Sequence, residues 1–417
     1  MTPATADKPI DLEDARRLVL ERVSPLGPES VPLREALGRI LSHDVKSVYS
    51  VPGFDNSSMD GFAVRAADTS GANPESPASL LVVDESRAGR PAGSALDEGQ
   101  AIGISTGAVI PEGADSVVRV EDTSLRGGRV TIAVEVEPGN NVRHAGDDIE
   151  PEATVLRRGA RLGAAELGVL ASVGVTEVAC VRRPRLGVLT TGDELQEPGD
   201  VPRPGGVRNS NTYTISSLAL SSGAEVVATE TVTDDPEPTR AAIERMLGAE
   251  IAVICGGVSV GEHDHVKGAL DSLGVEEVFW RVALKPGKPT WFGVGPRGTL
   301  VFGLPGNPVS AMVTFLLFVH PALRGLLGVE DRVASSSAIL DEDLQAAPGR
   351  DHAVRCSLEL REDGWHARPT GNQDSHVLTS MLGADALVIV PANADAPVAG
   401  SHVKVELLEG VRPVASP

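Results

Sequence analysis

The chain has 417 residues, a formal net charge of −21, and 41% hydrophobic content with only 3% aromatics. That charge excludes nucleic acid and anionic membrane as general partners, since both demand basic faces. The length exceeds what one hydrophobic core fills, so several domains are expected; 45 glycines and 30 prolines predict many turns.

Cys180, Cys255 and Cys356 form an odd set without C-x-x-C spacing, which predicts reduced thiols rather than a disulfide frame or a zinc site. The first residues carry no basic end followed by an apolar stretch. The longest largely apolar run, Val309 to Val319, falls short of the roughly 18 residues that span a bilayer. No membrane insertion and a cytoplasmic location are expected.

In chain order, Asp11 to Val23 reads as an amphipathic helix with Leu12, Ala15, Leu18 and Val19 on one side. A short helix over Leu33 to Leu41 is predicted next. After the segment VPGFDNSSMDGFAVRAAD, residues 80–136 are rich in strand-sized runs and glycine turns, which predicts a small β-domain. Leu162 to Val173 returns to helix. The expected organisation is a linking domain of residues 1–47 plus 150–182, with a β-rich domain, 48–149, inserted into it.

From Arg185 the pattern alternates. Strands are predicted at Arg185–Thr190, Glu225–Val232, Ile251–Cys255 and Leu300–Gly303; helices at Thr212–Leu220, Glu237–Leu247, Val266–Leu273 and from about Pro308. This rhythm implies a mostly parallel sheet covered by helices on both faces, assigned to residues 183–329. A separate small β-domain, 333–412, follows from the runs VRCSLEL, ALVIV and HVKVELL. The fold class is thus α/β and β multidomain.

In doubly wound sheets ligands sit beyond the carboxyl ends of the strands. The loops TTGDEL (Gly192, Asp193, Glu194), CGGVSVGEHD (Gly256, Gly257, Ser259) and GLPGNPVS (Pro305, Gly306, Asn307, Pro308, Ser310) all lie at such ends and should converge. In GLPGNPVS, Asn307 suits an N-cap, Pro308 the first helical position, and Ser310 the first turn, a start that suits an oxyanion. A plain, well-capped buried helix has the same signature.

Lysine usage points the same way. The chain has six lysines, and Lys267, Lys285 and Lys288 cluster here, which suggests ammonium groups aimed at an anion. Glu262 and Asp264 beside a glycine turn suit Mg²⁺, a hard cation that prefers oxygen ligands. His263 and His265 have no third partner in sight for zinc. Gly257–Gly261 matches the G-x-S-x-G nucleophile elbow, but so does Gly103–Gly107, and His320, His352 and His376 are available only by count. Asp193 and Glu194 also fit a solvated turn, and Arg143 with Asp147 and Asp148 a surface ion pair.

Taken in order, DNSSMDGFA, STGAVIPEGADSVVRVED, NVRHAGDDI, TTGDEL, GVRNSN, CGGVSVGEHD, LKPGKP and GLPGNPVS resemble the molybdopterin molybdenumtransferase family of MoeA type, similar to the gephyrin E domain. The resemblance implies an elongated four-domain homodimer whose active site lies between the α/β domain of one subunit and the inserted β-domain of the other. It implies Mg²⁺ as cofactor, molybdate and adenylylated molybdopterin as substrates, and release of AMP. It implies functional roles for Asp60, Thr106, Arg143, Asp148, Glu194, Asp264, Lys285, Lys288, Pro305 and Pro308, with Asp60, Glu194 and Asp264 as metal ligands. GRDHAVR and NQDSH resemble the family's molybdate-contacting region and point to Arg350 or Arg355 and to Ser375. Departures are Ser58, Phe62, Asp147, His263, His265 and one missing glycine after GDDI; none removes a charged residue of the set. A molybdopterin adenylyltransferase, expected otherwise as pathway partner, resembles the α/β domain alone. An interaction scaffold of gephyrin type with a protein partner is the reading from another class.

Overall fold

The computed structural model describes residues 8–258, 265–329 and 335–408. The chain divides into two compact units, residues 30–180 and residues 1–29 with 181–417.

In the first unit, six strands form one sheet in the order Ser116–Arg119, Gly61–Val64, Gln100–Ile104, Ala78–Ser86, Arg129–Ile132, Thr123–Arg126. Side chains alternate across it as a pleated strand requires. Phe62, Val64, Leu80, Val118 and Ile132 fill one core, while Ala63, Ile102, Ile104 and Val117 fill another. A third cluster, Val31, Ala36, Leu41, Leu162, Leu170, Val178 and Cys180, packs the helix Ala164–Ser172. The helix expected over Leu33–Leu41 is instead a single 3-10 turn, Leu33–Glu35. Pro32 opens that turn and Gly38, at φ +76°, reverses the chain soon after.

In the second unit, Asp11 caps the helix Leu12–Leu20, its carboxylate accepting from the Glu13 N–H at 2.9 Å. The central sheet runs Glu225–Val232, Arg185–Thr191, Ile251–Cys255, Leu300–Leu304, Trp291–Val294, Glu276–Trp280. The first four strands are parallel and the last two antiparallel, with Val188 opposite Val253 and Val253 opposite Phe302. Arg185–Thr191, Ile251–Cys255 and Leu300–Leu304 are buried almost throughout and read as largely apolar runs, whereas the edge strand Glu225–Val232 alternates and is not buried. Helices Asn211–Ser221, Pro236–Met246 and His265–Ser272 complete the alternation. The apolar stretch after Pro308 continues as one helical run to Leu326, most of it buried in the core.

Five strands, Ser335–Leu340, Asp351–Arg361, Gly364–Pro369, Ala386–Val390 and His402–Leu407, close into a barrel, because Asp351–Arg361 pairs with both Gly364–Pro369 and Ala386–Val390. Leu284–Lys285 adds to its side in parallel, Leu284 opposite Asp351 and Lys285 opposite His352. One core contains residues from the N-terminal helix, the α/β sheet and the barrel, among them Leu12, Val253, Phe302, Phe318, Ala353 and Leu387.

Two expectations follow. Phe302 is fully buried, its ring 4.9 Å from that of Phe292, so Phe302→Ala should cost ~3–5 kcal/mol in denaturant titration. His366 sits between Asp341 (2.8 Å) and Asp363 (2.9 Å), beside Arg361 at 2.9 Å. The bonds to Asp341 and then Asp363 raise its pKa above 6.5. That stabilisation is present below the unfolded pKa and lost as pH rises through the folded one. His366→Asn should therefore lower Tm more at about pH 5.5 than at about pH 8.

Candidate functional site

In the 30–180 unit, Asp60 follows the short strand Asn56–Ser57 and precedes Gly61–Val64. Its Oδ1 accepts from the Thr106 N–H at 2.7 Å and the Thr106 hydroxyl at 3.1 Å. The turn carrying Thr106 is held by Gly107, at φ +78°, whose N–H donates to the Ser57 carbonyl. Arg143 lies on the strand Val142–Arg143, opposite Asn56. The alternative reading of a surface ion pair does not hold: among the described residues no carboxylate pairs with Arg143, and Asp147 accepts instead from the His144 N–H at 2.7 Å. His144 turns to Asp55, 3.1 Å away. Asp148 is exposed, its N–H bonded to the Val51 carbonyl. Asp60, Thr106, Arg143 and Asp148 all present exposed side chains.

In the other unit, three glycine-rich loops leave the carboxyl ends of neighbouring parallel strands, as the alternation predicts. Gly192 follows Arg185–Thr191 at φ +156°, and a Cβ there would lie 2.5 Å from a Glu194 carboxylate oxygen. Only glycine lets that carboxylate fold back. The loop is pinned beneath: Thr191 Oγ1 donates to Asp234 at 2.5 Å, and the Asp234 N–H to Asp193 Oδ1 at 3.2 Å. Asp193 and Glu194 are exposed, and the Glu194 carboxylate has no partner among the described residues. Gly256 and Gly257 follow Ile251–Cys255 at φ +96° and +62°; a Cβ on Gly256 would meet the Thr191 carbonyl at 2.6 Å. Ser259 and Asp264, with Glu262 and His263, lie outside the described residues.

The loop Pro305–Pro308 follows Leu300–Leu304. Asn307 stands at the N-cap position, but its side chain caps nothing; its amide donates to Ser375 Oγ at 3.1 Å. The N–H of Val309 adds a bond to the Ser375 carbonyl, and the Asn211 side chain donates to the Gly306 carbonyl at 2.7 Å. Ser310 is 4% exposed in the first helical turn.

The loop Gly371–His376 in turn holds Arg355. Gln373 Oε1 accepts from the Arg355 backbone N–H at 2.9 Å; the guanidinium donates to Ser380 Oγ and the Asn372 carbonyl. Arg355 is fully buried, its Nη1 has no partner, and no carboxylate forms an ion pair with it among the described residues, although the charge of Asp374 acts on it from nearby. Burial lowers its pKa to about 10. Such a cation is costly unless an anion arrives. Lys285, Lys288 and Arg350 likewise form no ion pair among the described residues. Hydrogen bonds and strand pairing thus link Asn307, Ser375, Arg355 and, through the Lys285–His352 pairing, the KPGK segment.

Sequence reasoning gave no role to Asp234, Asn211 and Gln373, which hold the loops across 18 or more residues of chain separation, although Asn211 and Gln373 lie within the GVRNSN and NQDSH segments. Among the described residues no three His, Cys, Asp or Glu side chains gather as a metal cluster. All three cysteines are buried and outside any disulfide, and burial pushes the Cys255 and Cys356 thiols up to about 12.

These features coincide with known proteins over nearly the whole chain. Residues 10–174 match the model of the MoeA N-terminal region (domain I and II), 187–325 that of a probable molybdopterin binding domain, and 337–408 that of the MoeA C-terminal region (domain IV). Molybdopterin molybdenumtransferase 2 of Mycobacterium tuberculosis is 37% identical over 408 residues, covering 94% of this chain and 98% of its own. The Haemophilus influenzae molybdopterin molybdenumtransferase is 36% identical, with 95% and 98% covered. The crystal structure of the MoeA protein from Pyrococcus horikoshii superposes with a TM-score of 0.83 at 34% identity, over 97% of this chain and 100% of that one. The chain belongs to the MoeA family of molybdopterin molybdenumtransferases.

Proposed function

We propose that the protein is a molybdopterin molybdenumtransferase of molybdenum cofactor biosynthesis, transferring molybdate to adenylylated molybdopterin with release of AMP. The observation that carries this reading is the cation set Lys285, Lys288, Arg350 and Arg355, linked to Ser375 and the GLPGNP loop and without an ion-pair partner among the described residues. Molybdate is a tetrahedral dianion and the pterin phosphate adds charge, so point cations and a guanidinium fork suit them. Neither an adenylyltransferase nor a pure scaffold is favoured, since both leave the barrel-side cations without a role.

Mg²⁺ fits the exposed, unpartnered Glu194 carboxylate as a hard cation fits oxygen. Asp264 and Asp60 are further candidate ligands; Asp60 keeps Oδ2 clear of its Thr106 bonds. When bound, the ion would polarise the phosphoanhydride. The protein's own groups orient the rest: the lysines and arginines hold the anions, and the rigid Pro305–Pro308 loop fixes the edge of the crevice. We further propose a cytoplasmic homodimer in which Asp60, Thr106, Arg143 and Asp148 come from the second copy. The exposed Tyr49 (66%), Phe54 (48%) and Met59 (44%) near Asp60 in the chain support a covered surface there.

The test is AMP release from adenylylated molybdopterin, with and without molybdate and Mg²⁺. Release that depends on both is expected; release indifferent to molybdate, or adenylylation of molybdopterin from ATP, overturns the assignment. Asp60→Ala should keep the far-UV spectrum while AMP release falls roughly a hundredfold, the usual scale for a lost general base or metal ligand. Near-normal turnover in that variant removes Asp60 from the site.

A further inference from the structure

His352 has no role in the reading above, yet it sits inside the cation cluster. It is 2% exposed and pairs in parallel register with Lys285. Register partners on neighbouring strands present their side chains on one face of the sheet. Its Nδ1 lies 2.7 Å from the Gln345 carbonyl oxygen. A carbonyl only accepts, so Nδ1 carries the proton and Nε2 of the neutral ring keeps a lone pair. That Nε2 is buried and without a partner among the described residues. Burial first, then the charges of Lys285, Arg355 and Arg350, lower the pKa against the opposing bond to Gln345. The ring therefore stays neutral near pH 7 and Nε2 stays an acceptor.

We infer that His352 is a positioning residue for Lys285, its Nε2 accepting a hydrogen bond from the Lys285 ammonium when an oxyanion occupies the cluster; this rests on the anion-binding reading above. An ammonium has three donors and no acceptor, so one N–H can serve His352 while two remain for anion oxygens. The choice of imidazole follows from charge. A carboxylate would grip the ammonium more strongly, but it would cancel the lysine's charge and repel a dianion. A neutral acceptor orients the ammonium and leaves its charge for the ligand.

The test compares His352→Gln, His352→Leu and His352→Glu in the full-length protein. Gln keeps a donor for the Gln345 carbonyl and an acceptor for lysine, so KM for molybdate should stay within about threefold. Leu should raise that KM at least about tenfold with kcat little changed, the pattern of lost binding that is uniform along the reaction. Glu, despite its acceptor, should raise it further. If all three variants move KM and kcat in step with Tm, the role is only structural and the inference falls. A second readout is independent of turnover. With six lysines in the chain, the ¹⁵N signal of the Lys285 ammonium can be assigned through Lys285→Arg. It should respond to added molybdate in the wild type and in Gln, with a reduced response in Leu. A wild-type signal blind to molybdate overturns the anion-binding reading and the inference together. A wild-type response fully retained in Leu overturns the inference alone.

Discussion

The candidate site of the second unit depends on one short pairing, Leu284–Lys285 against Asp351–His352. It fastens the barrel to the segment that leaves the central sheet, and the apolar core running through Leu284, Phe302, Phe318, Ala353 and Leu387 locks the two together. A barrel free to shift would carry Ser375 away from Asn307 and Arg355 away from the KPGK segment. With the core in place, residues more than 60 positions apart in the chain meet with ångström tolerance.

Charge is the second organising term. A protein of net charge −21 repels the anions that its family handles. The remedy is local: cations are grouped without ion-pair partners among the described residues, and one of them, Arg355, is taken wholly out of water. The loops around them contribute backbone, and TTGDEL also carries the exposed Asp193 and Glu194 carboxylates. Gly192, Gly256 and Gly257 make close approaches that any side chain would block.

Much of this was legible in the sequence. Ile251–Cys255 falls where its apolar run places it, because a strand buried in a parallel sheet is written as a continuous run, while the edge strand Glu225–Val232 is marked by its β-branched residues and alternation. The Leu33–Leu41 region was misread because its apolar spacing resembles a helix, while Pro32 and Gly38 limit it to one turn. The loops at the strand ends and the residues in them were named from sequence; their mutual support was not. Asn307 looked like a cap by type and position, yet its amide is drawn to Ser375, a partner set by tertiary packing. The pairing of His352 with Lys285 carried no signal, since a strand register across 67 positions of chain is invisible to local pattern.

The cysteines bear on the same chemistry from the opposite side. Molybdenum has a strong appetite for soft sulfur donors, and a protein that passes the metal on must not retain it. Cys255 ends the strand that opens into Gly256 and Gly257, yet its thiol is buried and held protonated until about pH 12. A thiol is a poor ligand where a thiolate is a good one. The fold thereby removes its own competitor, leaving a pterin dithiolene as the softer destination for the metal.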